Sequence, residues 1–240
     1  MRSAMVWLAL VVMLAAAVVG VLAYGLAYPE ATLLGPAVVR GPQTRPGARE
    51  LSLTFDDGPS RPYTGEILDI LRASGIRATF FLCGENAERY PDLVRRIHAE
   101  GHGIGNHTYS HPWLYLMSRG RIAGEIDRTQ DVLERLTGRR PTLFRPPFGV
   151  RWFTLPAILA DRGLKMVMWN IRPYDGRYGA ERVARLALDQ LRPGAIIVLH
   201  DGFETKPAGL IDRSATVKAL PLIIAGARKA GYTFVPLPEN

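Results

Sequence analysis

From residue 50 onward, short apolar runs alternate with stretches of helical period. Residues 51–55, 78–82 and 103–106 read as the first three strands. Residues 142–144, 165–169, 195–199 and 232–235 read as four more. Between them lie helical patterns at 63–73, 85–100 (interrupted at Pro91), 118–137, 155–162, 180–191 and 216–230. Over 63–73 the apolar face is Ile67, Leu68, Ile70 and Leu71. Over 118–137, Ser118 is placed to cap the helix, and Ile122, Ile126, Leu133 and Leu136 recur at helical spacing. Strand alternating with helix predicts a mainly parallel sheet, open or closed into a barrel.

The N-terminus has a different pattern. Residues 4–27 are apolar and uncharged, behind a single Arg2. That is roughly the 20 residues needed to span a bilayer. A cleavable signal peptide has a shorter apolar region of about 7–15 residues, although Gly25-Leu26-Ala27 offers a cleavage site. The expectation is a signal anchor or signal peptide over 1–28, a Pro/Gly/Ala-rich linker over 29–49 and a domain over 50–240. Arg40, Arg45 and Arg49 beyond the apolar run sit poorly with positive-inside orientation, but that rule is weak for long translocated domains. The domain is therefore expected outside the cytoplasm, held at the membrane, or secreted if the segment is cleaved.

Composition changes little. The 240 residues carry a net charge of +8, almost all of it arginine, since Lys165, Lys206, Lys218 and Lys229 are the only lysines. The basic residues are scattered, and no nucleic-acid-binding motif accompanies them. The charge suits an anionic polymer or membrane surface, or an arginine-rich codon usage. Cys83, the single cysteine, follows Phe80-Phe81-Leu82 and is expected to be a buried, inert thiol.

The reactive residues follow the strands. Asp56 and Asp57 come after the first, His107 after the third and Arg145 after the fourth. Asp175 lies beyond the fifth, and His200 follows the sixth. Parallel α/β folds build their sites at these C-terminal ends. His107 and His111 are four apart, which one helical turn would place on the same side. With one carboxylate they make a three-ligand set that leaves positions for water and substrate. Asp57 is the candidate ligand. Asp56 then stays beside the metal-bound water as a general base.

Thr54-Phe55-Asp56-Asp57-Gly58-Pro59, His107-Thr108-Tyr109-Ser110-His111-Pro112, Arg145-Pro146-Pro147-Phe148-Gly149 and Leu199-His200 together resemble the polysaccharide deacetylases with a NodB homology domain, carbohydrate esterase family 4. The resemblance runs from Glu50 to about Pro236. It implies a distorted (β/α) barrel of about seven units and hydrolysis of the N-acetyl group of N-acetylglucosamine in chitin-like polymers or peptidoglycan. It implies a divalent metal, usually zinc, on Asp57, His107 and His111. Asp56 would be the catalytic base and Arg145 its orienting partner. His200 would be the acid that protonates the departing amine, with Asp175 orienting it. Phe148 would supply an oxyanion-stabilising N–H, Leu199 would line the acetyl pocket, and Pro147 would lie at the substrate.

One motif departs. The family often has Asp-x-x-Asp-Trp where this chain has Arg172-Pro173-Tyr174-Asp175-Gly176. The second aspartate is kept, while the first and the aromatic wall are lost. Trp113, Trp152 and Trp169 could supply other aromatic surface. Three alternatives use overlapping residues: a polysaccharide O-acetyl esterase, a non-catalytic glycan-binding protein on the same fold, and an iron oxygenase with two histidines and a carboxylate. The Asp56–His200 acid/base set speaks against the last two.

Overall fold

A computed structural model describes residues 2–28, 31, 34–202 and 212–239. The elements run α1 (Arg2–Ala27), β1 (Glu50–Asp56), α2 (Tyr63–Ala73), β2 (Thr79–Leu82), α3 (Gly84–Arg89), α4 (Pro91–Ala99), β3 (Gly103–Asn106) and α5 (Arg119–Thr137). Then come β4 (Leu143–Phe144), α6 (Leu155–Ala160), β5 (Lys165–Met166), α7 (Ala180–Leu188), β6 (Ala195–His200), α8 (Ser214–Lys229) and β7 (Thr233–Phe234).

The strands form one parallel sheet in the order β5-β4-β3-β2-β1-β6, with β7 beside the start of β1. The sheet curls until its edges meet. Beyond β5 the chain continues to Ile171, which makes a parallel bridge to Ile197 of β6. The Ile171 N–H donates to Ile196 O, and the Val198 N–H donates to Ile171 O. The expected barrel is thus a curled parallel sheet joined at one bridge. The long fifth strand expected at 165–169 is shorter: β4 pairs with it only at Lys165 and Met166, and Val167 bridges Val38 instead.

Strand alternation sorts the side chains. Leu51, Leu53 and Phe55 of β1 share a core with Ala195, Ile197 and Leu199 of β6 and with Ile67 and Leu71 of α2, Val183 of α7 and Leu220 of α8. The opposite face of β6 carries Ile196 and Val198, packed with Phe81, Phe144 and Trp169. On β1 that opposite face reads Ser52, Thr54, Asp56, all buried. A strand buried on both faces is ordinary for a parallel sheet. Three polar residues on its inner face are not, and they lead to the site.

The helix boundaries have local causes. Ser118 caps α5 by accepting from the Arg121 N–H, and Gly138 closes it at φ 72°. The expected helix over 85–100 is two helices, because Pro91 drives Tyr90 out of helical geometry (φ −129°, ψ 60°) and opens α4 itself.

α1 presents Val6, Trp7, Val11 and Leu14 to its surroundings. Among the described residues no helix is long and apolar enough to cross a membrane. Just beyond α1, the buried Arg151 guanidinium donates to Tyr28 O and Ala31 O, fastening the start of the linker to the domain. Within the expected linker, residues 29, 30, 32 and 33 lie outside the described residues.

Candidate active site

Asp57 Oδ1 lies 3.3 Å from His107 Nε2 and 3.2 Å from His111 Nε2. The three are buried, and among the described residues they are the group of His, Cys, Asp and Glu able to hold a metal ion. The His107 ring is oriented from behind: its Nδ1–H donates to Arg145 O at 2.7 Å. That bond fixes Nδ1 as the donor and holds the ring so that Nε2 points at Asp57. Two imidazoles and one carboxylate oxygen converging on a point suit a divalent ion with open positions. Burial would raise the Asp57 pKa, but the hydrogen bonds to His107 and His111 prevail and hold it well below the usual carboxylate range.

The two histidines do not share a helical turn as the spacing suggested. Residues 107–111 form a loop in which Thr108 (φ 66°) and His111 (φ 54°) take left-handed backbone. Asn106 Oδ1 accepts from the Thr108 N–H, and Glu125 of α5 accepts from the N–H groups of Tyr109 (3.0 Å) and Ser110 (2.7 Å). One carboxylate holding two successive amides is a strong local clamp. Glu125 was invisible in the sequence because its role comes from α5 packing against the loop.

Asp56 and His200 are register partners at the ends of adjacent parallel strands. Asp56 Oδ1 accepts from Arg145 Nη1 at 2.6 Å. The same guanidinium donates to Thr54 Oγ1, Val167 O and Met168 O, with its carbon 4.0 Å from the Phe81 ring centre. Burial pushes the Arg145 pKa down and Asp56 pushes it back up. On the other side, Asp175 Oδ1 meets His200 Nδ1 at 2.8 Å, while Oδ2 accepts from the His200 N–H and Thr216 Oγ1, each at 2.7 Å. Burial alone would lower the His200 pKa. Asp175, helped by Asp57, raises it instead to about 9, so the ring is protonated at neutral pH.

Phe148 lines the cavity with φ 59°, and its N–H has no acceptor among the described residues. Its ring packs edge-on against His111 and flat against Trp113, 3.6 Å between centres. Two expected contacts are corrected. Leu199 faces the helix-side core, because it alternates with His200; the cavity is lined by Val198, two residues before that histidine. Pro147 is buried beneath its turn, and Phe148 and Gly149 reach the cavity instead. Trp169, within an apolar run, also lines it. Cys83 is buried, as expected, and burial carries its thiol pKa well up.

Two neighbours gave no signal in the sequence. Arg213 Nη2 stands 3.4 Å from Asp57 Oδ2, the oxygen turned from the histidines, and its Nε donates to Gly202 O. Asp201 is fully buried: Thr64 Oγ1 donates to its Oδ2 at 2.6 Å, while its Oδ1 has no partner among the described residues. A Cβ on Gly58 would lie 2.3 Å from that carboxylate, so only glycine fits there. Burial, then the charges of Asp57 and Asp56, raise the Asp201 pKa to about 7 against the Thr64 hydrogen bond. The unfolded carboxyl titrates near ~4. Between those values the folded chain holds a proton that the unfolded chain has lost, so stability falls as pH rises through that window. Asp201→Asn is expected to raise the Tm of the metal-free protein at pH 8 and to change it little near pH 4. An equal shift at both would show the cost is not one of ionisation.

Fold and site together define an α/β protein in which Asp56 and His200, paired across adjacent strands, stand beside three side chains able to hold a metal ion. The family described as polysaccharide deacetylase matches residues 43–180. A peptidoglycan-N-acetylglucosamine deacetylase of Bacillus cereus is 38% identical over 197 residues, covering 79% of this chain and 67% of that protein. A chitooligosaccharide deacetylase of Bradyrhizobium is 35% identical over 199 residues, covering 80% and 91%. Among solved structures, the Bc1960 peptidoglycan N-acetylglucosamine deacetylase superposes with a TM-score of 0.77 at 36% identity, covering 84% of this chain and 91% of that one. A CE4 family pseudoenzyme from Bacillus anthracis gives 0.74 at 25%, covering 84% and 67%. The chain belongs to the polysaccharide deacetylase family.

Proposed function

We propose that this chain is a metal-dependent hydrolase that removes N-acetyl groups from N-acetylglucosamine residues of a polysaccharide. The observation that carries the reading is the register pairing of Asp56 with His200 beside Asp57, His107 and His111. A binding protein has no need of a base and an acid held at one spacing. That a relative on this fold is a pseudoenzyme makes the completeness of the set here the deciding point.

Asp57, His107 and His111 would hold the ion, with zinc first by its taste for imidazole. When bound, it polarises the amide carbonyl and lowers the pKa of a water ligand toward ~7. Asp56, steadied by Arg145, takes the proton from the attacking water. The Phe148 N–H donates to the carbonyl oxygen as charge builds there. His200, held protonated by Asp175, gives its proton to the amide nitrogen, so that the sugar leaves as an amine and the acetyl group as acetate.

The test is acetate release from chitooligosaccharides, peptidoglycan and acetylated xylan, with and without chelator. Release from the N-acetylated polymers, abolished by chelator and restored by zinc, is expected. Release from xylan alone would favour the O-acetyl esterase. Silence on all three with metal bound would favour glycan binding. His107→Ala is expected to lose the metal in direct elemental analysis; unchanged content would remove His107 from the ligand set.

The acid has its own signature. Activity needs His200 protonated, so it falls as pH rises through the His200 pKa. Asp175→Asn removes the main group raising that value, and the alkaline limb of kcat/KM should move to lower pH. An unmoved limb would assign it to another group. We place the catalytic domain outside the cytoplasm; the charge-free apolar run over 4–27, of the kind found in export signals, supports this.

A further inference from the structure

The wall where the chain departs from its family's motif is cationic. Arg172 and Arg177 both line the active-site cavity, with Tyr174 and Gly176 between them. Both arginines are exposed. They come from a tight turn: the N–H groups of Arg177 and Tyr178 both donate to Tyr174 O, and Tyr174 itself is left-handed at φ 57°. The Arg172 guanidinium is seated between two rings, 5.2 Å from the centre of Tyr174 and 5.7 Å from Trp169. That of Arg177 lies 5.5 Å from Tyr178. Stacked guanidinium groups lose less freedom on binding than extended ones.

Among the described residues these two charges are uncommitted. The acidic residues of the cavity are spent elsewhere: Asp56 on Arg145, Asp57 on the histidines and Arg213, Asp175 on His200 and Thr216. Among the described residues neither Arg172 nor Arg177 has a carboxylate within reach of an ion pair. Gly176 keeps the space between them and the base of the cavity open: a Cβ there would lie 2.9 Å from Arg213 Nη1, so a larger side chain would have to displace that group.

We propose that Arg172 and Arg177 form a subsite for a carboxylate carried by the polymer beside the N-acetylated sugar. The inference rests on the deacetylase reading and adds a substrate class: an anionic glycan rather than a neutral one. Guanidinium groups bind carboxylates in a planar, two-pronged fashion. In an open cavity the gain is modest and sensitive to salt.

Binding and turnover separate the two readings. Glycan strands with alternating carboxylate-bearing sugars, and the same strands with those carboxyls converted to amides, would be titrated calorimetrically into the metal-loaded Asp56→Asn variant. Acetate release by the wild type, measured in parallel, tests the deacetylase reading alone. The carboxylated strands are expected to bind about tenfold more tightly than the amidated ones at low salt. The ratio should shrink toward one at high salt and in Arg172→Gln/Arg177→Gln. Equal affinities at low salt, or a ratio that survives the double substitution, would overturn the proposal. Strands bearing phosphate in place of carboxylate distinguish the two oxyanions; tighter binding of these would overturn the carboxylate assignment.

Discussion

Exchanging Asp56 for Asn is expected to lower acetate release by about 10²–10⁴-fold while the protein stays folded and keeps its metal. Asparagine has nearly the same shape, and its carbonyl can still accept from Arg145 Nη1, which now reaches Asp56 Oδ1 at 2.6 Å. What it cannot do is take a proton from water. The neighbouring ligand set of Asp57, His107 and His111 does not include Asp56, so metal content should be unchanged. The measurement is the pairing of the two: elemental analysis for the ion and a rate for the acetate. Wild-type turnover would remove Asp56 as base, and loss of the metal would make it a ligand.

Arg145→Met should be the most damaging single change to stability. The side chain is fully buried and serves four acceptors at once: Asp56, Thr54, Val167 O and Met168 O. Methionine fills much of the volume but leaves Asp56 charged, buried and without its partner. Breaking a buried pair from one side costs about 3–5 kcal/mol, a large part of the 5–15 kcal/mol typical of a domain. Such a loss corresponds to a Tm lower by roughly 6–20 °C. Adding Asp56→Asn to that background should recover part of it, because the stranded charge is gone. A single variant as stable as wild type, or a double variant less stable than the single one, would show that the pair is not what the barrel interior rests on.

Much of this was legible in the sequence, for a physical reason. A parallel sheet with helices on its flank writes its strands as apolar runs, and its site residues fall directly after them. Asp56, Asp57, His107, Arg145 and His200 could be placed that way, and Asp175 beyond the fifth strand. The polar inner face of β1 was legible too: Ser52, Thr54 and Asp56 alternate with Leu51, Leu53 and Phe55. That same alternation exposes the error at Leu199, since a residue adjacent to His200 on a strand must face the other way.

What could not be read is what depends on distant parts of the chain meeting. Glu125 clamps the histidine loop from a helix whose pattern shows only that one face is polar. Arg213 reaches Asp57 from 156 residues away. Left-handed backbone at Asp57, Thr108, His111, Phe148 and Tyr174 had no glycine to announce it. Conformations of this kind cost of order 1–3 kcal/mol each and persist where the surroundings enforce them.

The register of β1 against β6 divides the molecule into a part that is free to vary and a part that is not. The spacing of Asp56 and His200 is measured out by the rungs of a hydrogen-bonded ladder, so one residue added within β6 would turn His200 toward the helices, with loss of activity as the expected result. The turn bearing Arg172 and Arg177 hangs off that ladder beyond the Ile171 bridge, and of its residues Asp175 alone holds His200 in place. A lineage built on this frame can exchange one polymer for another by rewriting a few turn residues, while the ladder carries the hydrolysis forward untouched.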